Sequence, residues 1–147
     1  MEVLCTKSSF AIDDLDGGEG KDTFNAGLSD SVMTLSSTDT IDGGSGVDSL
    51  NATINSAGTF SPTLKSVESI YATFTAGGTL SLENVTGATL LSDTNSSNAS
   101  IYTNISDTSL KLGISGNSGD TTFTYTDAAI AGDSDSISLA LSSAGST

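Results

Sequence analysis

"LDGGEGKDTFNAG" (residues 15–27) returns in altered form as "IDGGSGVDSLNAT" (41–53), 26 residues further on. Superposing 13–26 on 39–52 pairs Asp13 with Asp39, Leu15 with Ile41 and Asp16 with Asp42. Gly17, Gly18 and Gly20 fall on Gly43, Gly44 and Gly46, and Asp22 falls on Asp48. Phe24 and Leu50 then take the same place. Both copies satisfy G-G-x-G-x-D-x-U-x at every fixed position, where U is a large apolar residue. Glycines permit the positive φ that a tight curl requires. The apolar residue two places after the aspartate opens a short strand.

This spelling resembles the calcium nonapeptide of RTX proteins. Its chemistry suits that ion. Calcium takes 6–8 hard oxygen ligands, and a curled glycine turn offers backbone carbonyls while the aspartate adds a carboxylate. The resemblance implies a right-handed parallel β-roll in which one turn supplies half a site and the turn two repeats later supplies the rest. Taking each aspartate with an apolar residue two places on gives Asp13/Leu15, Asp22/Phe24, Asp30/Val32, Asp39/Ile41 and Asp48/Leu50. The expectation is five rungs, with Asp13, Asp30 and Asp48 along one edge and Asp22 and Asp39 along the other. The candidate metal residues are therefore Gly17, Gly18, Gly20, Asp22, Gly43, Gly44, Gly46 and Asp48, with Asp13, Asp30 and Asp39. Asp16 and Asp42, before the double glycines, add either a ligand or only a turn. Two or three Ca2+ ions are expected. The bland reading is an acidic loop region, because Asp and Gly favour turns, but turn chemistry does not require a regular ladder.

The rest of the chain alternates with period two: "TLSLENV", "SIYTNI", "SLKLGI", "TTFTYT", "SISLAL". Such alternation bounded by Gly, Asn and Asp reads as β-strands, and the whole chain reads as all-β. "LKSVESIYATF" (64–74), "LENVTGATLLS" (82–92) and "YTNISDTSLKL" (102–112) align on Val67, Val85 and Ile105. That register predicts continued solenoid winding, with Leu64, Ile70, Phe74, Leu80, Leu90, Leu110 and Leu112 inside. Phe123, Tyr125, Ile137, Leu139 and Leu141 share a face, as further coils or a capping hairpin. The organisation expected is an atypical lead-in (1–12), a calcium β-roll (13–52) and a Ser/Thr-rich β-solenoid (53–147). The alternative for the last part is a β-sandwich.

Composition narrows the function. Eighteen acidic residues face four lysines, giving a net charge of −14. Nucleic acid and anionic membranes both call for basic surface, so neither is an expected partner, whereas cations are. No histidine is present and Cys5 is alone, which removes the usual zinc sites and Ser-His or Cys-His nucleophile pairs. The clustered carboxylates are accounted for by the ladder, so no enzyme is expected. No stretch approaches the roughly 20 apolar residues of a membrane helix. "MEVLCTKSSF" has no apolar signal region, so the chain is either cytosolic or exported by a signal lying elsewhere.

"TLSSTDTIDGGSGVDSLNATI" followed by "PTLKSVESIYATF" resembles calcium-dependent bacterial surface-layer proteins with RTX-type repeats. The resemblance implies type I secretion, folding on calcium outside the cell, localisation at the bacterial surface and self-association with identical or related subunits into a lattice. It matches Gly17, Gly18, Gly20, Asp22, Gly43, Gly44, Gly46 and Asp48 to the calcium turns. An adhesin or matrix module built on the same roll is the alternative, and it would present a ligand-binding face instead.

Overall fold

The computed structural model describes residues 2–4 and 12–143; Cys5 and most of the expected lead-in lie outside them. Strands come in chain order as β1 (Glu2–Leu4), β2 (Asp14–Asp16), β3 (Thr23–Ala26), β4 (Leu28–Ser29), β5 (Val32–Met33), β6 (Thr40–Asp42), β7 (Ser49–Ile54), β8 (Thr59–Phe60) and β9 (Thr63–Lys65). There follow β10 (Ser69–Phe74), β11 (Gly78–Ser81), β12 (Val85–Thr86), β13 (Leu90–Thr94), β14 (Ser100–Ile105), β15 (Lys111–Ser115), β16 (Thr121–Tyr125) and β17 (Leu139–Ser142). Among the described residues there is no α-helix, and none is long and apolar enough to cross a membrane.

The fold is a parallel β-solenoid. Three sheets form its walls, in the orders β1-β3-β7-β10-β13-β15-β17, β2-β6-β9-β12 and β8-β11-β14-β16. Every pair within them is parallel; only the small β4–β5 hairpin is antiparallel. Parallel neighbours need a long crossover, and here each crossover is the rest of one coil. The β-sandwich alternative is thereby set aside. The expected boundary at residues 52/53 falls inside β7, which pairs with β3 on one side and β10 on the other.

Period two in sequence becomes columns up the axis. The longest wall stacks Phe24, Leu50, Ile70, Leu91, Leu112 and Leu139. A second wall stacks Leu15, Ile41, Leu64 and Val85, and the third Phe60, Leu80, Tyr102 and Phe123. Burying each fully enclosed aliphatic side chain contributes about 1.5–3 kcal/mol; Leu139, at the end of its column, stays exposed. Tyr102 sits edge-on to Phe74 at 5.6 Å and stacks on Phe123 at 5.0 Å between centroids.

The coil length differs from the expected ladder. Phe24 pairs with Leu50, 26 residues on; the next coils advance by 20 or 21, and the last, from Leu112 to Leu139, by 27. The nine-residue rung is absent, because a coil visits three walls before it returns to the first. Two details follow. Val85 stacks on Leu64 and not on Val67. Leu91, fully buried, is the inward residue of β13, while Leu90 is only half-buried. The expected Leu64, Ile70, Phe74, Leu80, Leu110 and Leu112 do lie in the core. The later strands are further coils, not a hairpin: β16 stacks on β14 and β17 on β15.

Candidate metal centre

The two Gly-Asp phrases form one corner, leading from the β2/β6 wall into the β3/β7 wall. They stack directly on each other. Gly17 N–H donates to the Asp42 carbonyl at 2.9 Å, Gly20 N–H to Ser45 at 2.8 Å, and Ser45 N–H back to Gly18 at 2.8 Å. A Glu19–Ser45 bridge completes the register. The first glycine pair is required by close approach: a Cβ on Gly43 would collide with the Ser66 carbonyl and lie 2.6 Å from Asp48 Oδ2. The second pair is required by conformation: Gly18 and Gly44 hold φ of 85° and 83°, the left-handed region that costs other residues energy.

At the end of each turn an aspartate points inward. Asp22 is 1% exposed and Asp48 is fully buried. Their carboxylates tie one coil to the next: Asp22 N–H donates to Asp48 Oδ1 at 2.7 Å, and Asp48 N–H donates to Glu68 Oε2 at 2.7 Å. Asp48 Oδ2 is buried with no hydrogen-bond partner, and so is Asp13 Oδ2. A buried carboxylate oxygen without a donor is costly. It calls for a proton or a cation.

The other expected residues separate. Asp13 and Asp39 stack on each other, with Asp13 N–H donating to Asp39 Oδ1 at 3.2 Å, at the corner before the β2/β6 wall. This corrects the expected edges, which put Asp13 with Asp48 and Asp22 with Asp39. Asp39 is already saturated: Ser36 N–H donates to its Oδ2 at 2.7 Å and Ser36 Oγ–H to its Oδ1 at 2.8 Å. Asp30 joins neither corner. It is exposed in the β4–β5 turn, where Asp30 and Ser31 both hold positive φ, as a two-residue hairpin demands. Asp16 and Asp42 each accept an N–H two residues on, from Gly18 at 3.0 Å and Gly44 at 3.1 Å. They serve the turn itself.

The donor set fits a hard divalent cation: carboxylates and carbonyls, with no soft or nitrogen ligand at the corner. Among the described residues, however, no group of three or more acidic, His or Cys side chains is arranged to hold a metal. A cation here would draw most of its ligands from backbone carbonyls, which is the chemistry the double glycines suggest.

A further buried carboxylate, outside the glycine turns, escaped the sequence reading. Asp93 sits in the Ala26–Ala52–Ala72 column, where alternation from Leu91 puts it inward. It is fully buried. Ser96 Oγ donates to its Oδ1, and Ser100 Oγ and Thr121 Oγ1 (2.6 Å) to its Oδ2. Asn117 braces the network, accepting the Ser96 N–H at 3.0 Å and donating to Thr121 Oγ1 at 3.1 Å. Nearby, burial and then the Asp93 charge push the Tyr102 phenol well above its usual pKa of 10.0. Its hydroxyl is buried without a hydrogen-bond partner by distance. Burial, followed by the charge of Asp107, also raises Tyr125.

No family model, curated protein or solved structure matches this chain.

Proposed function

We propose that this chain is a calcium-binding structural module of a secreted bacterial surface-layer protein, folding on calcium and contributing coils to a cell-surface lattice. One observation carries the calcium part: the fully buried Asp48, whose Oδ2 meets no donor, beneath two stacked glycine turns. A chain of net charge −14 with four lysines has little else to neutralise such a group. Binding energy then becomes folding energy. At free calcium a hundred times the Kd, a single site adds about 2.7 kcal/mol to stability. The surface-layer part rests on the resemblance of residues 34–54 and 62–74, and on outward rows in the first coils of the long wall that carry Thr23, Ser49 and Ser69 beside Asn25 and Asn51.

The test is a calcium titration of the full chain followed by far-UV circular dichroism, with magnesium as control and Asp48→Asn as comparison. The expected result is a calcium-specific gain of β structure and thermal stability, with the variant losing about 2–3 kcal/mol of the calcium-dependent increment. Unchanged spectra and melting in chelator and in calcium would refute the reading. Calcium-dependent sheets under negative stain support the lattice role, whereas a monomer that binds a glycan array in calcium supports the adhesin.

A further inference from the structure

We infer that the metal corner extends to a third coil and that Glu68 supplies a carboxylate ligand to a calcium ion seated between the second and third coils. The inference rests on the calcium reading above and adds a ligand from a segment with no glycine motif.

The register carries it. Asp42 pairs with Lys65 and Ser49 with Ser69. The six residues 43–48 therefore face only three, 66–68. Ser66 takes over the bend, with φ 49°, and its carbonyl faces Gly43 just as the Gly43 carbonyl faces Gly17. Gly43 N–H donates to Lys65 at 2.9 Å, as Gly17 does to Asp42. Glu68 then holds the place of Asp48, immediately before the long-wall strand. Its carboxylate accepts the Asp48 N–H at 2.7 Å, the same distance at which Asp48 accepts that of Asp22. The extra methylene of glutamate spans what the shorter turn leaves open. The column of acids ends there: in the next coil Thr89 takes the position, and its N–H and hydroxyl donate to the Glu68 carbonyl at 2.8 and 3.2 Å.

Successive strands lie about 4.8 Å apart. Asp48 and Glu68 are thus like charges on adjacent coils, the first fully buried and the second half-buried. No hydrogen bond meets Asp48 Oδ2. Backbone carbonyls turned along the stack and two carboxylates make an all-oxygen donor set, the kind that calcium takes.

The experiment is calorimetric titration of calcium into the full chain, its Asp48→Asn variant and its Glu68→Gln variant. Glutamine keeps an acceptor for the Asp48 N–H and removes the charge. The expected result is an affinity for one ion weakened at least about tenfold in Glu68→Gln, with the β spectrum in saturating calcium retained. Wild-type affinity in Glu68→Gln beside a loss in Asp48→Asn would overturn the role of Glu68 and leave the calcium reading standing. A wild-type chain that takes up no calcium would overturn both. Should Glu68→Gln fail to fold, the wild-type chain decides: on exchange of calcium for strontium, the carboxylate 13C resonance of Glu68 should shift with that of Asp48. A Glu68 resonance that stays still while Asp48 moves would end the inference.

Discussion

Asp48 and Asp93 are both fully buried in the same solenoid, yet the chain accommodates them differently. Asp93 lies in a serine- and threonine-lined corner and accepts three hydroxyl protons from Ser96, Ser100 and Thr121. Its surroundings are complete as the polypeptide provides them. Asp48 lies beside a glycine turn that supplies no side-chain donor, and its Oδ2 is buried with no hydrogen-bond partner. The difference follows from composition at the corner. Hydroxyl side chains satisfy a carboxylate from within; glycines open space and turn carbonyls toward it, which repels a carboxylate unless a cation intervenes. One aspartate closes a network, and the other leaves a requirement.

The largest effect is expected from the backbone that frames Asp48. Gly43→Ala drives a methyl into the Ser66 carbonyl and against Asp48 Oδ2. Because backbone must move, the expected loss is roughly 3–4 kcal/mol, at the upper end of single-residue effects. Urea unfolding in saturating calcium measures it. A loss below about 1 kcal/mol would mean that this corner relaxes easily and that the glycine framing is not what isolates Asp48.

The Asp93 side should respond without reference to calcium. Asp93→Ala strands three hydroxyls in the interior and leaves a small void, at a cost of about 2–3 kcal/mol. Unfolding curves of this variant should lose the same amount in chelator and in calcium. A calcium-dependent loss would show that the two carboxylates do not differ in kind.

Tyr102→Phe gives the smallest effect. The hydroxyl is buried with no partner by distance, so its removal should change stability by less than about 1 kcal/mol at neutral pH, in either direction. Alkaline pH sharpens the point. The folded-state pKa is raised above the unfolded value, so the native chain holds its proton while the unfolded chain releases it. Stability is therefore intact below about pH 10 and falls as pH rises beyond it, by at most about 1.4 kcal/mol per pH unit. Thermal melting between pH 9 and 11 should show a shallower alkaline decline in Tyr102→Phe. Identical slopes would mean that Tyr102 ionises freely in the fold.

Much of this architecture could be read from residues alone. Alternation located the strands, and the Gly-Asp phrases located the corner. The misreading lay in the meaning of nine. Asp13 and Asp22 stand nine apart, as do Asp39 and Asp48, because each of the first two coils enters two walls through an aspartate. That spacing runs around the coil, whereas the repeat of 26 runs up the axis. A ladder built on nine mixed the two directions and recruited Asp30, which only turns a hairpin. Asp93 was hidden for another reason: in "LLSDT" it reads as a surface polar residue, and only the stacking of β13 on β10 places it beneath Ala72. Leu90 and Leu91 exchanged roles through the same one-residue ambiguity, since either can begin an alternating strand. Glu68 sat in plain view in "LKSVESI", but its place in the acid column depends on a turn shortened by three residues.

The hydrogen bonds joining one coil to the next all run along the solenoid axis. A pull along that axis loads the bonds of one coil boundary at a time, so the chain would yield in steps, as in other quasi-one-dimensional folds. Each step frees one coil of 20 to 27 residues, or roughly 7–9 nm of extended chain.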